Sequence, residues 1–411
     1  METADVVLVG AGQAGLSLSH ELRRGGVDHV ILERGRVGET WRGRWNSFCL
    51  VIPNWTVQLP GYWYAGDPNG FMPRDDIVAH LAGYAQSFQA PVREGITVTA
   101  LEPHAPDSAG RDGRGGFLLR TSSGEMRARQ VVLASGAYQK PHRPAAAARL
   151  PESLHVIDAE QYTHPGVLPA GPVLVVGSGQ TGCQLSEELC EAGRETYLAC
   201  GRAPWAPRRL DGRDILEWIV ETPWMEMALS DLPSPLARLG ANLQASGGRD
   251  CHFRTVQALG VHLSGHLTGV EDGVAHFAPD VAESVGFGDA RYTDICGLIR
   301  KACAARGTKA PEMPLPPPFQ ADPVERLTLD RLGAVVFTSG FRPDYTRWVR
   351  FPSAFDDAGF PIQQDGVSTV IPGLSFMGGH FQRKRKSATF LGVAEDAGVL
   401  AEKIIAQRRS M

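Results

Sequence analysis

The segments DVVLVGAGQAG at residues 5–15 and VLVVGSGQTG at 173–182 repeat one design: an apolar strand, a glycine-rich turn, then a helix-forming run. A turn of this kind belongs to a strand–helix–strand crossover on a parallel sheet, so its repetition predicts α/β architecture with two dinucleotide-binding, Rossmann-like domains. In the first copy Gly10 permits the tight turn, Gly12 lets a pyrophosphate approach the backbone, and Gly15 lets helix and strand pack closely. Gly177, Gly179 and Gly182 repeat those roles. Each helix N-terminus offers unpaired N–H groups and a partial positive charge to an anion.

The two copies diverge at the end of their second strands. Glu33 stands 18 residues after Gly15 at the end of the strand HVILE, with Arg34 next. A carboxylate there accepts both hydroxyls of an adenosine ribose and repels a 2′-phosphate, which fits FAD or NAD and not NADP. The second copy has no such acid: ETYLAC leads into Gly201 and Arg202, with Arg208, Arg209 and Arg213 beyond. Guanidinium groups suit the 2′-phosphate of NADPH. For Arg209 and Arg213 a solvated basic loop explains the residues equally well. Two dinucleotides on one chain, FAD and NADPH, imply electron flow from NADPH to flavin.

A length of 411 residues exceeds one ordinary core, and 43% hydrophobic with 21% charged residues is the balance of a globular chain. The net charge of -4 gives nucleic acid no electrostatic footing. No run approaches the ~20 apolar residues of a membrane span, and the first apolar segment enters a turn and not a signal h-region, so the chain reads as cytoplasmic. Seven cysteines lie scattered with no CxxC pair, no even framework and no histidines at metal spacing. No metal site and no redox-active thiol pair is expected from them. The stretch 38–64 is dense in Trp, Tyr, Pro and Gly and reads as an ordered loop whose aromatic residues Trp41, Trp45, Trp55, Tyr62, Trp63 and Tyr64 line a substrate channel or a core. Helices are expected near 75–88, 291–306 and 387–408, and the run GAVVFTSGF at 333–341 echoes QVVLASGAY at 130–138. Pro-rich hinges at 141–151 and 312–319 divide the chain into a discontinuous FAD domain, 1–150 with 325–411, and an inserted NADPH domain, 151–324, carrying a helical and loop insertion.

Together these features resemble class B flavin-dependent monooxygenases: flavin-containing monooxygenases, YUCCA-type enzymes and Baeyer–Villiger enzymes, with bacterial FAD/NAD(P)-dependent oxidoreductases as the nearest branch. The resemblance spans nearly the whole chain and rests on GAGQAG, on GSGQTG followed by GRAPWAPRRLDGRD, on LASGAY and FTSGFRPD, and on PGLSFMGG with GVAEDAG. It implies hydride transfer from NADPH to flavin N5, reaction with O2 to a C4a-(hydro)peroxyflavin, and oxygenation of a small soft nucleophile (amine nitrogen, thioether sulfur) or a 2-oxo acid. The alternative is a flavin oxidoreductase or oxidase that reduces an acceptor without oxygen insertion. Partners are then a small-molecule substrate and O2, with a homodimer left open.

By position, the resemblance puts Gln13 and Ala14 of the first turn, Trp41, Arg42 and Gln58 beside FAD. It puts Val98 at the adenine, Ala134, Gly136 and Gly379 close to FAD, and Ser339 at the domain junction. Ser178, Gln180 and Thr181 are to contact the NADPH phosphates. Gln58, Asn54 and His380 are the catalytic candidates; the run QRKRK at 382–386 holds an anion or forms a solvated face. Two departures stand out. Anchored on Tyr162, the family's linker fingerprint meets Glu152, Leu154 and Asp158 where Phe, Gly and His are expected. Val51 occupies the position of an asparagine near the flavin C4a, with Asn54 three residues on.

Overall fold

The structure, a computed structural model, describes residues 1–104, 116–240 and 243–409. The chain begins with β1 (Glu2–Val9), α1 (Gln13–Arg24) and β2 (His29–Leu32), then passes through the aromatic stretch to α2 (Arg74–Ser87) and β3 (Val92–Arg93). A meander of β4 (Val98–His104), β5 (Gly116–Thr121) and β6 (Gly124–Leu133) comes next. The second unit contains β7 (His155–Asp158), β8 (Val173–Val176), α3 (Gln180–Glu191), β9 (Thr196–Ala199), β10 (His262–Ser264), α4 (Val281–Arg306) and β11 (Ala334–Phe337). The chain returns through β12 (Gln363–Gln364), β13 (Val367–Ser368), β14 (Leu374–Phe376) and α5 (Phe390–Arg409).

The first sheet runs β12-β13-β14-β6-β1-β2-β3, with the meander attached to β6. Its centre is parallel: Val7 of β1 lies between Val30 of β2 and Val131 of β6. Those strands are apolar without alternation because both faces are covered. On one face Leu16, Leu18 and Leu22 of α1 pack with Val393, Ala397 and Leu400 of α5. The second sheet is a parallel β7-β11-β8-β9-β10, again built from uniformly buried runs such as VLVV in β8 and AVVF in β11.

Strand membership favours a division other than the expected one. Arg326–Thr328 pairs with Val274–Phe277 in an antiparallel ribbon of the second unit, and β11 is inserted between β7 and β8. An apolar strand buried on both faces needs ladders on both edges, and only the second sheet supplies them to β11. On the outgoing side Ala146, Ala147 and Leu150 already pack against that same unit. The two connections meet as a short antiparallel pair, Lys140–Pro141 with Phe341–Arg342. We therefore propose the division 1–140 with 341–411 around 141–340. Smaller differences concern α4, which starts at Val281 and not near 291, and the stretch around Arg238, which is a 3-10 helix, Pro235–Gly240.

The aromatic stretch is largely a wedge between the units. Trp45, 4% exposed, packs in the second unit's core, Phe48 touches both cores, and Trp55 lies against the cluster around Trp218 and Tyr292. Polar bonds fix it: the Asn46 N–H donates to Thr163 O at 2.8 Å, and the Ser47 hydroxyl donates to Glu188 at 2.9 Å. Arg208, expected among the phosphate-binding cations, is instead buried here. It grips Asp214 through Nε at 2.6 Å and Nη2 at 2.5 Å, donates Nη1 to the Val51 carbonyl at 2.8 Å, and lies over the Phe71 ring. Replacing Arg208 by Ala strands the buried Asp214 carboxylate, and a loss of about 3–5 kcal/mol is expected. Urea unfolding of the variant against the wild type measures it.

Candidate functional site

At the first turn Gly10 has φ +113°, and a Cβ there would lie 2.5 Å from Ala134 O. A Cβ on Gly15 would lie 2.0 Å from Gly10 O, whereas one on Gly12 would meet nothing within 4 Å. Gly10 and Gly15 are thus required by the protein's own packing, and Gly12 leaves open space for whatever approaches from outside. The first helical bond runs from Leu16 N–H to Gly12 O at 3.0 Å, so the N–H groups of Gln13, Ala14 and Gly15 have no helical acceptor. Glu33, 8% exposed, accepts from the Ala11 N–H at 2.7 Å and from the Gly35 N–H at 2.9 Å. A carboxylate has about four acceptor positions, so capacity remains for ribose hydroxyls. An open cradle beside a fixed carboxylate fits an adenine dinucleotide.

Several expected residues gather here. Trp41 Nε1 donates to Gln13 Oε1 at 3.1 Å while its ring stacks on Phe390, tying the turn to the start of α5. Arg42 pairs with Glu39 at 3.4 Å. The Ala134 N–H donates to Val9 O at 2.9 Å, Gly136 has φ +83° with open space around it, and a Cβ on Gly378 would lie 2.7 Å from the Ala14 Cβ, which brings Gly379 to α1. Arg34 is exposed beyond Glu33, and Val98 opens β4 opposite Thr121.

The second turn repeats this geometry. Gly177 has φ +108°, a Cβ on Gly182 would lie 1.8 Å from Gly177 O, and Gly179 faces open space. Thr338 Oγ1 donates to Gly177 O at 2.5 Å and Ser339 Oγ donates to Val176 O at 2.9 Å. Ser339 therefore supports the second turn from beneath, as Ala134 adjoins the first. Ser178 Oγ donates to Gly201 O at 3.1 Å and accepts from Gly201 N–H at 2.8 Å, and Gln180 donates to Leu243 O at 3.0 Å. Their side chains staple the turn to Gly201 and Leu243; the Thr181 hydroxyl has no partner among the described residues. Arg213 is held by Glu217 at 3.2 Å and Glu221 at 2.8 Å, over the Trp218 ring. Arg202, next to Gly201, and Arg209, in the hairpin with Arg213–Asp214, are exposed and make no side-chain ion pair or hydrogen bond among the described residues.

Of the catalytic candidates, Asn54 is 5% exposed and committed at both ends: Nδ2 donates to Asp67 O at 2.9 Å and Oδ1 accepts from the Met72 N–H at 2.7 Å. It positions its loop. Gln58 sits in a small hairpin with Nε2 donating to Trp55 O at 3.0 Å, leaving Oε1 as an acceptor. His380 meets the Tyr138 ring edge-on and lines a cavity with Gly136, Gly379 and Tyr345. Burial, then the Arg238 charge, lowers its pKa to about 4, so the imidazole is neutral near pH 7. Asp158 takes a bidentate bond from Arg143 at 2.8 and 2.9 Å, and the buried Tyr162 donates to Glu188 at 2.9 Å. The altered fingerprint thus ties the linker to β7 by an ion pair.

The run at 382–386 is neither a free anion site nor a solvated face. Lys384 and Lys386 reach Glu395 at 2.6 and 2.9 Å and Glu226, from the second unit, at 2.6 and 2.5 Å. Arg383 pairs with Asp396 at 3.0 Å. Burial alone would raise the Glu395 pKa, but hydrogen bonds from Lys384, Lys386 and Arg383 outweigh it and hold the group at about 2.

The Cys183 and Cys251 thiols are both free and near each other, and interaction with Cys183, then burial, pushes the Cys251 thiol up. The pair lies in the second unit's core, with Gln244 Nε2 donating to Cys183 Sγ at 3.2 Å, away from the first turn. Sequence reasoning also missed Gln139, which bonds Gly136 O at 2.9 Å and the Asp344 N–H at 2.8 Å, and Arg238. Gln139 adjoins the LASGAY motif and was findable; Arg238 carries no motif at all. No helix among the described residues is long and apolar enough to cross a membrane.

The sequence pattern of the pyridine nucleotide-disulphide oxidoreductase family matches residues 7–233, which include both turns and Glu33. The chain belongs to this family. Among its relatives, the uncharacterized CzcO-like oxidoreductase of Geobacillus kaustophilus is 30% identical over 98% of both chains. The indole-3-pyruvate monooxygenase YUCCA1 of Oryza sativa subsp. japonica is 30% identical over 47% of this chain and 46% of its own. The fold is similar to that of the flavin-containing monooxygenase of Stenotrophomonas maltophilia, with TM-score 0.62, 21% identity and 99% of each chain covered. Membership in the family together with the two turns implies a flavin and a nicotinamide cofactor.

The packing around the glycines separates two variants. Gly12→Ala is expected to purify with the flavin absorbance largely lost and to keep the melting temperature of the flavin-free wild type, because its methyl enters only the open cradle. Gly15→Ala drives a methyl into Gly10 O and is expected to lose both flavin and thermal stability. For His380, the imidazole is expected to titrate near pH 4 by NMR, well below the ~6.5 of an unfolded chain. The native state then binds fewer protons between those values, so this group's contribution to stability is complete above ~6.5 and falls as the pH drops toward 4.

Proposed function

We propose that the chain is an NADPH-dependent, FAD-containing monooxygenase, with O2 as co-substrate and a small molecule as substrate. The contrast between the two turns carries this reading. Glu33 stands fixed at one, suited to the ribose of FAD, while Arg202, exposed and unpaired among the described residues, follows Gly201 at the other, suited to the 2′-phosphate of NADPH. When bound, the flavin supplies hydride uptake from the nicotinamide and the activation of O2 for transfer of one atom to the substrate.

The chain's own residues bind, orient and enclose. The first turns of α1 and α3 present N–H groups to the two pyrophosphates. Gln13 holds Trp41 against Phe390 at the head of α5, so the wall beside the first site is fixed before any ligand arrives. Neutral His380 offers one ring N–H and one acceptor without adding charge, and Gln58 offers a free amide oxygen. The largely apolar walls around His380 suit transfer of oxygen to an amine nitrogen, a thioether sulfur or a 2-oxo acid, a step that needs water kept away. The monooxygenase names of the rice and Stenotrophomonas proteins support oxygen insertion over simple electron transfer. A dithiol reductase would need its thiol pair beside the flavin, and Cys183 with Cys251 lies in the core of the other unit.

The test is consumption of isotope-labelled O2 by the purified flavoprotein with NADPH and a mixture of amines, thioethers and 2-oxo acids. One labelled oxygen atom in a product, matched to NADPH oxidised, is expected. Stoichiometric hydrogen peroxide with no labelled product would support the oxidase alternative. Arg202→Asp is expected to raise KM for NADPH about 10–100-fold, the worth of one charge-assisted hydrogen bond, while leaving NADH turnover unchanged or better. Unchanged NADPH kinetics would remove Arg202 from the site.

A further inference from the structure

At the second turn the order of the parallel strands dictates how a dinucleotide lies. Its pyrophosphate belongs at the glycine turn after β8, and the ribose of its adenosine belongs at the end of β9, where Gly201 and Arg202 follow. The next strand on that side, beyond β9 and away from β8, is β10. A nucleotide that has crossed from β8 to β9 therefore carries its base to the carboxyl end of β10. The register puts one residue there: Ala199 pairs with Ser264, and the Cys200 N–H donates to Ser264 O at 2.9 Å. Continued along the chain, that register sets His266 opposite Gly201, and neighbouring strands lie only about 4.8 Å apart.

His266 is exposed, yet its ring is fixed. Its backbone N–H donates to Asp280 Oδ1 at 3.1 Å, and its Nδ1 bonds Oδ2 of the same carboxylate at 2.6 Å. Asp280 stands at the N-cap of α4 and makes no side-chain bond to that helix, so its carboxylate is committed to the histidine and not to capping. The backbone closes the arrangement: a Cβ on Gly265 would lie 1.8 Å from Ala278 O and 2.3 Å from Asp280 Oδ1, so no larger residue fits where β10 meets the head of α4. A carboxylate only accepts, so Nδ1 carries the proton, and Nε2 of the neutral ring is then an acceptor. Nε2 has no partner among the described residues, and 58% of the side chain is exposed. An acceptor held where the base lies calls for a donor on the base, and adenine presents one, its 6-amino group.

We propose that His266 reads the adenine of the nicotinamide dinucleotide, its Nε2 accepting a hydrogen bond from the 6-amino group, and that Asp280 is the positioning residue that sets the tautomer. The inference rests on the second turn holding that dinucleotide. Under that reading Arg202 meets the phosphate and His266 the base, from the ends of adjacent strands.

The experiment uses the flavin-loaded protein at about pH 8, where an imidazole is ordinarily neutral. Two probes differ at a single group: NADP+, and nicotinamide hypoxanthine dinucleotide phosphate, in which a carbonyl oxygen replaces the 6-amino group. Affinities are measured by titration calorimetry. The wild type is expected to bind NADP+ about 3–10-fold more tightly, the worth of one hydrogen bond. His266→Phe keeps a ring and removes the acceptor, and is expected to abolish the preference by weakening NADP+ alone. In Asp280→Asn the amide oxygen keeps the His266 N–H, which turns the amide NH2 toward Nδ1 and moves the ring proton to Nε2. That variant is expected to reverse the preference in favour of hypoxanthine, a change that a merely structural role for the pair would not produce. Equal binding of the two probes by the wild type, an unchanged preference in either variant, or an equal loss of both probes in His266→Phe would overturn the proposal. Failure of the flavin-loaded wild type to bind either dinucleotide would instead remove the nicotinamide cofactor from the second turn, and the proposal with it.

Discussion

Each helix that faces a nucleotide site starts in contact with the carbonyl of its own turn. No side chain fits between Gly15 and Gly10 O, or between Gly182 and Gly177 O, where an added Cβ would lie at 2.0 and 1.8 Å. That closeness fixes the angle between strand and helix and brings each helix N-terminus to the carboxyl ends of its parallel strands. A neighbouring strand then completes each turn, with Ala134 against Gly10 and Thr338 with Ser339 against Gly177. The motifs LASGAY and FTSGF are thus equivalent parts of two copies of one device, separated by about half the chain. The repeat was visible in the sequence, but its role as a floor under the glycine turn was not.

Features set by local chemistry could be read directly. The α1 helix spans Gln13–Arg24 as its glycine turn and apolar spacing imply, and Glu33 stands where the end of the second strand puts it. Residues defined by distant partners could not. Arg208 has the same side chain as Arg202 and lies six positions away, yet one is buried against Asp214 and Val51 O while the other is exposed. Composition sees two arginines; the tertiary fold buries one in the protein and leaves the other exposed. Asn54 is a similar case, since both ends of its amide are taken by backbone 13 and 18 residues away. The proposed shift of the boundary from 325 has a related reason: a Pro-rich stretch marks an irregular path, not the sheet to which the following strand pairs.

The basic run at 382–386 shows the same limit for charge. Taken alone it is a strong positive patch, but its lysines meet Glu395 on α5 and Glu226 from the second unit, 160 residues from Lys386. The network therefore joins the return of the chain to the unit it has just left, beside the wedge formed by Trp45 and Phe48. Charge, aromatic packing and the Arg208 grip on Val51 O all cross the same interface. Of the aromatic residues in 38–64, Trp45, Phe48 and Trp55 belong to this joint while Trp41, Tyr62 and Tyr64 pack in the first unit, and the rings of the cavity around His380 are other residues, 341–381.

The pairing of Lys140–Pro141 with Phe341–Arg342 fixes more than the place where the units divide. Phe341 of that pair also lines the cavity that Arg238 enters from the other unit, so the crossing point of the chain and the wall of the cavity are one and the same strand.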